Sequence, residues 1–166
     1  RHARNSIDGE GGTMIAVVRL GQSLRNAFWT NGLMLFGDGR RYAGALDVTA
    51  HEMTHGITEL TANLIYKDQP GAANEAFSDI FGENVEAYPN GDADWLKAAQ
   101  IVAPLQNYAD CGGVSYSVGL PYPSRMSEYI NTVGDSGGVH GNSCILNHRY
   151  YLLAEGLARA IGIGDG

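Results

Sequence analysis

The hydrophobic pattern of the chain changes period part of the way along. Residues 13–20, Thr-Met-Ile-Ala-Val-Val-Arg-Leu, form a short β-branched apolar run bounded by glycines and predict a strand. A second extended piece is predicted from Asn26 to Phe36, ending at a turn made by Gly37, Asp38 and Gly39. Over 47–63 the spacing becomes helical: Val48, His51, Glu52, His55, Thr58, Glu59 and Ala62 fall three and four apart, with Asp47 as the expected N-cap. Over 72–88, Ala76, Phe77, Ile80, Phe81, Val85 and Tyr88 repeat the pattern, and Pro89-Asn90-Gly91 ends this second helix. Residues 89–139 are loop-rich, with Pro104, Pro121 and Pro123, a length that compact domains reserve for functional loops. Helical spacing returns from His140 to about Ile161 through Ile145, Leu146, Tyr150, Leu152, Leu153 and Leu157. Strands first and helices later read as an α+β fold.

Composition narrows the function. The 166 residues suffice for one domain with a sizeable core, or for two small lobes sharing a cleft. With 44% hydrophobic and 17% charged residues the chain is globular in character. A net charge of −7 with no Lys/Arg cluster argues against nucleic acid as a partner. No apolar run is long enough to span a membrane, and no signal peptide is visible, which says nothing about a processed chain. Cys111 and Cys144 match neither a disulfide framework nor a zinc finger. One disulfide and two buried thiols are both compatible with the sequence, and thiols are the favoured reading.

The chemistry centres on His51-Glu52-Met53-Thr54-His55. Residues four apart lie on one helix face, so both imidazoles can reach one ion, while Glu52 can stand beside the ion as a general base. The bland alternative is a helix with two satisfied histidines and a solvated glutamate. Catalytic zinc takes three protein ligands and keeps an open position. Glu75, twenty residues past His55 on the next predicted helix, can supply the third; alone it reads equally as a glutamate stabilised by the helix dipole.

Several blocks together are more specific. Asn26-Ala-Phe-Trp29, Gly37-Asp-Gly39, Ala45 through Thr58, Gly71 through Gly82 and Gly137-Gly-Val-His140 occur in the order of the signature blocks of the thermolysin family, which the chain resembles over roughly residues 4–157. The resemblance implies a zincin-like fold. Residues 1–45 would form the strand-rich part of an N-terminal lobe. Residues 46–166 would carry the active-site helices, the substrate loops and the start of a helical lobe. It implies zinc on His51, His55 and Glu75, Glu52 as general base, and Asp79 and Asn74 behind the ligands. Tyr66 and His140 would stabilise the oxyanion, with Asp135 holding His140. Asn26, Ala27 and Trp29 would bind substrate backbone as an edge strand. The implied protein is a secreted, monomeric endopeptidase acting on peptides or proteins by Glu52-assisted attack of water at the zinc. It would prefer a large apolar residue after the scissile bond, with Val48 and Leu105 as pocket residues. An aminopeptidase with the same two-helix site and an inactive zinc-binding fragment remain as rivals.

The chain also departs from the family. Asp47, Glu86 and Asp94 match its double calcium site, but Ala99 stands where a bridging glutamate is usual, so at most one calcium is expected. Gln106 stands where the family has an arginine that contacts substrate, and a neutral amide makes no charge-assisted bidentate contact. The family has further strands before these blocks and a helical bundle after them, which implies a fragment of a longer product whose last helix would be left largely uncovered.

Overall fold

A computed structural model describes residues 4–99, 101, 104–113 and 119–160, with the side chains of 90 and 157–160 excepted. Strands β1 (Ile15–Leu20), β2 (Ala27–Thr30) and β3 (Leu33–Gly37) form one sheet in the order β1-β3-β2. β1 runs parallel to β3, and β2 runs antiparallel to it. The single extended piece expected from Asn26 to Phe36 is therefore two strands. Asn31 (φ 48°) and Gly32 (φ 78°) turn the chain between them. Asn-Gly is the pair that a two-residue hairpin with positive φ at both positions selects. β2 ends the sheet, leaving one backbone edge unpaired by β3.

Helix α1 (Leu46–Glu59) packs on β2 and β3. Met34, Phe36, Tyr42, Ala45, Val48 and Ala98 form the core beneath it. Ala45, not Asp47, holds the N-cap position, and no side chain caps the helix. Asp47 lies in the first turn, where a carboxylate is favoured by the helix dipole, and its Oδ2 instead accepts the Ala98 N–H at 2.5 Å.

Helix α2 (Asp68–Asn90) starts four residues before the predicted span, with Pro70 in its first turn, where the missing N–H costs nothing. It runs through Pro89 and stops at Gly91, whose left-handed φ of 79° closes the C-terminus with an N–H to Ala87 O bond of 2.8 Å. α1 and α2 meet closely at Gly82: a Cβ there would lie 2.7 Å from the carbonyl oxygen of Asp47.

The loop-rich region carries a two-stranded ribbon, β4 (Leu96–Lys97) against β5 (Gln106–Asn107). The single helix expected from His140 is two: α3 (Asp135–Asn142) and α4 (Cys144–Ala160). The first turn of α3 is left-handed at Ser136, Gly137 and Gly138. Glycine takes this conformation without strain, which suits the pair Gly137-Gly138 two residues before His140. Cys111 and Cys144 form a disulfide, so the thiol reading is corrected. The sequence separated these two cysteines by 33 positions, and only the return of α4 over the ribbon brings them together. Leu146, Leu152 and Leu153 on α4 are exposed. The expected helix end at Ile161 and the Leu157 side chain lie outside the described residues.

Candidate active site

The helical periodicity of α1 places His51 and His55 on one face, one turn apart, with their Nε2 atoms 2.9 Å from each other. α2 crosses opposite and brings Glu75 to both rings: Oε2 lies 3.4 Å from His51 Nε2 and Oε1 3.3 Å from His55 Nε2. One ligand atom from each of the three residues lies within 4.8 Å of the other two. Glu75 is fully buried, and its Oε2 has no hydrogen-bond partner. A buried carboxylate oxygen with no donor beside two imidazole nitrogens fits a divalent cation, and two His with one Glu is a donor set of catalytic zinc.

The far nitrogens fix the rings. His51 Nδ1 lies 2.9 Å from Asp79 Oδ1, one helical turn beyond Glu75. His55 Nδ1 lies 2.8 Å from Asn74 Oδ1 and 3.1 Å from Ser78 Oγ. Each Nδ1 is thus directed to an oxygen, which leaves Nε2 as the lone-pair donor. The structure thus brings the expected Asp79 and Asn74 beside the two imidazoles; Ser78 was not anticipated, although its place one turn after Asn74 is a visible i,i+4 signal. Burial and then the Lys97 charge pull the His51 pKa down, but the neighbouring Asp79 and Glu75 carboxylates carry it up to about 9. Burial works against Asp79 ionising, yet Lys97 and His51 hold its carboxyl down at about 2. Glu75 is likewise held well below the usual range, against its burial, by His140, His51 and His55.

Two further groups face the same point. The Tyr66 hydroxyl donates to Glu75 Oε1 and lies 3.3 Å from His140 Nε2. His140 Nδ1 lies 2.5 Å from Asp135 Oδ1, and its backbone N–H donates to Asp135 Oδ2 at 2.9 Å. Partial burial lowers the His140 pKa, while the Asp135 bond and the Glu75 charge raise it above its ordinary value overall. Burial first and the Glu75 charge second push the Tyr66 phenol far above its ordinary range, so it keeps its proton as a donor.

These groups line a cleft of about 600 Å³ with Glu52 on one wall. Asn26 and the β2 residues Ala27, Phe28 and Trp29 form another wall, and Leu64 and Ile65 add apolar surface. Three sequence expectations fail here. Val48 is buried in the core beneath α1, and exposed Leu105 does not line the cleft. Gln106 does not reach substrate space: it is buried, its Nε2 donates to His140 O at 2.6 Å and to Ser143 Oγ at 3.1 Å, and its Oε1 accepts from Asn147 Nδ2 at 2.9 Å. All the polar atoms of this amide are consumed in holding α3 and α4.

A second carboxylate cluster lies further along α2. Glu83, Glu86 and Asp94 bring oxygens within 4.8 Å of one another. Glu86 and Asp94 were expected and Glu83 was not. Its signal is the four-residue spacing Glu75, Asp79, Glu83 along one face of α2. Asp47 joins from α1, and Asp47 Oδ1 and Glu83 Oε2 are buried without hydrogen-bond partners. Burial and the neighbouring carboxylates push Glu83 up to about 6 and Glu86 up to about 7.

Comparison with known proteins places the chain among metallopeptidases. Residues 1–59 match the family described as "Thermolysin metallopeptidase, catalytic domain", and residues 62–165 match "Thermolysin metallopeptidase, alpha-helical domain". The chain is 46% identical to an extracellular metalloprotease of Pectobacterium carotovorum subsp. carotovorum, covering 93% of this chain and 50% of that protein. It is 40% identical to a bacillolysin of Bacillus cereus, covering 92% of this chain and 28% of that protein. The solved precursor of protealysin, a metalloproteinase from Serratia proteamaculans, superposes with a TM-score of 0.84 at 37% identity, over 94% of this chain and 54% of that one. The chain thus spans about half or less of the length of these relatives.

Proposed function

Because the chain belongs to the thermolysin metallopeptidase family, we propose that it carries the zinc site and cleft of a secreted endopeptidase. The observation that carries this reading is the convergence of His51, His55 and Glu75 within 4.8 Å, in a cleft that also holds Glu52, Tyr66 and His140. His51, His55 and Glu75 would hold the ion. Zinc bound there polarises water and the scissile carbonyl. Glu52 accepts a proton from the attacking water and delivers it to the leaving nitrogen. The Tyr66 hydroxyl and His140 Nε2–H donate to the carbonyl oxygen as it gains charge, and Asp135 keeps the His140 ring turned for that task. Asn26, Ala27 and Trp29 receive the substrate as an added strand. An apolar residue after the scissile bond is favoured; the resemblance and the apolar surface of Phe28, Leu64 and Ile65 support this. Glu83, Glu86, Asp94 and Asp47 would hold at most one calcium, and a titration that finds two tight calcium ions per chain overturns that count. The name of the Pectobacterium relative supports secretion.

The test is zinc content together with chelator-reversible cleavage of casein, for the wild type and for Glu52→Gln. One zinc in both and cleavage by the wild type alone is the expected result. Zinc uptake without cleavage by either would favour a second reading, that this stretch binds metal but lacks part of its cleft; coverage of only 28–50% of the two curated relatives favours that reading. No zinc uptake overturns both.

A further inference from the structure

Lys97 is a lysine in an unusual place. Its side chain is 15% exposed, and its Nζ lies 2.5 Å from Asp79 Oδ1 and 3.9 Å from Glu75 Oε2, two carboxylates with almost no solvent access. Among the described residues it is the only lysine or arginine ion-paired to either of them. The backbone is shaped to deliver it. Trp95 and Ala98, on either side of the two-residue strand β4, both take a left-handed φ of 59°, which non-glycine residues adopt at a cost. Both are gripped from the acidic cluster: Trp95 N–H donates to Glu83 Oε1 at 2.9 Å and Ala98 N–H to Asp47 Oδ2 at 2.5 Å.

Across the ribbon, the register partner of Lys97 is Gln106. That is the position where the resemblance expects an arginine, and here its amide is fully engaged with His140, Ser143 and Asn147. The ribbon therefore carries its cation on the opposite strand. A carboxylate in a dry interior is very unfavourable unless its charge is balanced, and Glu75 and Asp79 are two buried carboxylates one turn apart.

We propose that Lys97 is the resident counter-ion of the zinc site: a positioning residue that balances Glu75 and Asp79 while no metal is bound and holds Asp79 against His51. This rests on the zinc reading of His51, His55 and Glu75. Lys97 then acts on zinc in two opposed ways. It stabilises the metal-free pocket, and it repels the incoming ion, so it makes zinc uptake weaker than the bare donor set would give.

The experiment measures zinc dissociation constants by chelator competition, and thermal midpoints of the metal-stripped 166-residue chain, for four variants. In Lys97→Met the metal-free midpoint falls by roughly 5 °C or more, and zinc binds at least about tenfold tighter because a positive charge has left the site. Lys97→Arg stays within about threefold of wild type in affinity, since the charge is kept. Lys97→Met with Gln106→Arg, which returns the cation from the other strand, comes back to a similar range. If Lys97→Met does not fold without metal, the double variant is compared with Gln106→Arg alone, which carries two cations and binds zinc more weakly than wild type. Wild-type affinity together with an unchanged metal-free midpoint in Lys97→Met overturns the proposal. A wild type that takes up no zinc removes the zinc reading and this inference together. Neither readout is cleavage, so a chain that binds zinc but cuts nothing refutes the endopeptidase reading without touching this one.

Discussion

Tyr66 shows how much work a single hydroxyl can be given. It donates to Glu75, the proposed third zinc ligand, and stands 3.3 Å from His140 Nε2, so on the proposed reading it would touch both the metal side and the substrate side of the cleft. Tyr66→Phe should lower kcat/KM by ~10²–10³, the usual cost of one oxyanion donor, while zinc content stays near wild type. Because the phenol is held far above its ordinary pKa, the wild-type rate should show no tyrosine titration up to about pH 10. Loss of zinc in Tyr66→Phe would assign the hydroxyl to metal binding instead. The residues of this site were unequally legible in the sequence. His51, Glu52 and His55 lie on one helical turn, so spacing alone brings them together. Glu75 and Asp79 needed the second helix and the family pattern. Lys97 could not be read at all, because its meeting with Asp79 depends on left-handed backbone at Trp95 and Ala98, which no spacing rule predicts. Gln106 was misread for a related reason: its position matched, but its burial was set by the packing of α3 and α4.

At the scale of elements, the site depends on how closely α1 and α2 can approach. Gly82 permits that approach, since a Cβ would meet the Asp47 carbonyl oxygen at 2.7 Å. Alanine is the better helix former by about 1 kcal/mol, so propensity and packing oppose each other here. Overpacking against backbone should win: Gly82→Ala is expected to destabilise by about 1–3 kcal/mol in urea unfolding. A stabilised Gly82→Ala would mean that the helices separate freely. The Cys111–Cys144 disulfide ties the end of the ribbon to α4 across 33 positions. Replacing both with serine should cost about 2–4 kcal/mol, read from the shift in the urea midpoint. An unchanged midpoint would show that the Gln106, Ser143 and Asn147 bonds suffice. α1, α2 and most of α4 were readable from periodicity, and β1 from its β-branched run between glycines; the left-handed start of α3 was not. The β2–β3 hairpin was missed because the apolar residues on either side of Asn31-Gly32 were read as one extended piece, although those two residues specify the turn.

Across the whole molecule, α2 carries two charged centres along one face, and the segment from Asp94 to Ala98 runs from one to the other. The acidic end is prone to self-repulsion. Glu83 and Glu86, with pKa values pushed up to about 6 and about 7 from an ordinary 4.5, bind protons more tightly in the folded chain than in the unfolded one. Their contribution is therefore full at acid pH and lost as pH rises toward neutrality. In zinc-replete, calcium-free buffer the thermal midpoint should fall between about pH 5 and pH 7.5, and calcium should remove that fall by taking the place of the protons. A midpoint that is flat over this range without calcium would show that the cluster needs no ion. The other boundary of the cleft is β2, the end strand of its sheet. A bare strand edge selects by conformation before it selects by side chain, because it can pair only with a backbone whose amides are free. On the proposed endopeptidase reading, a centre built on such an edge would spare helices and intact sheets and attack whatever has come loose. The half-life of a target protein would then follow how often it unfolds locally rather than how many suitable residues it contains.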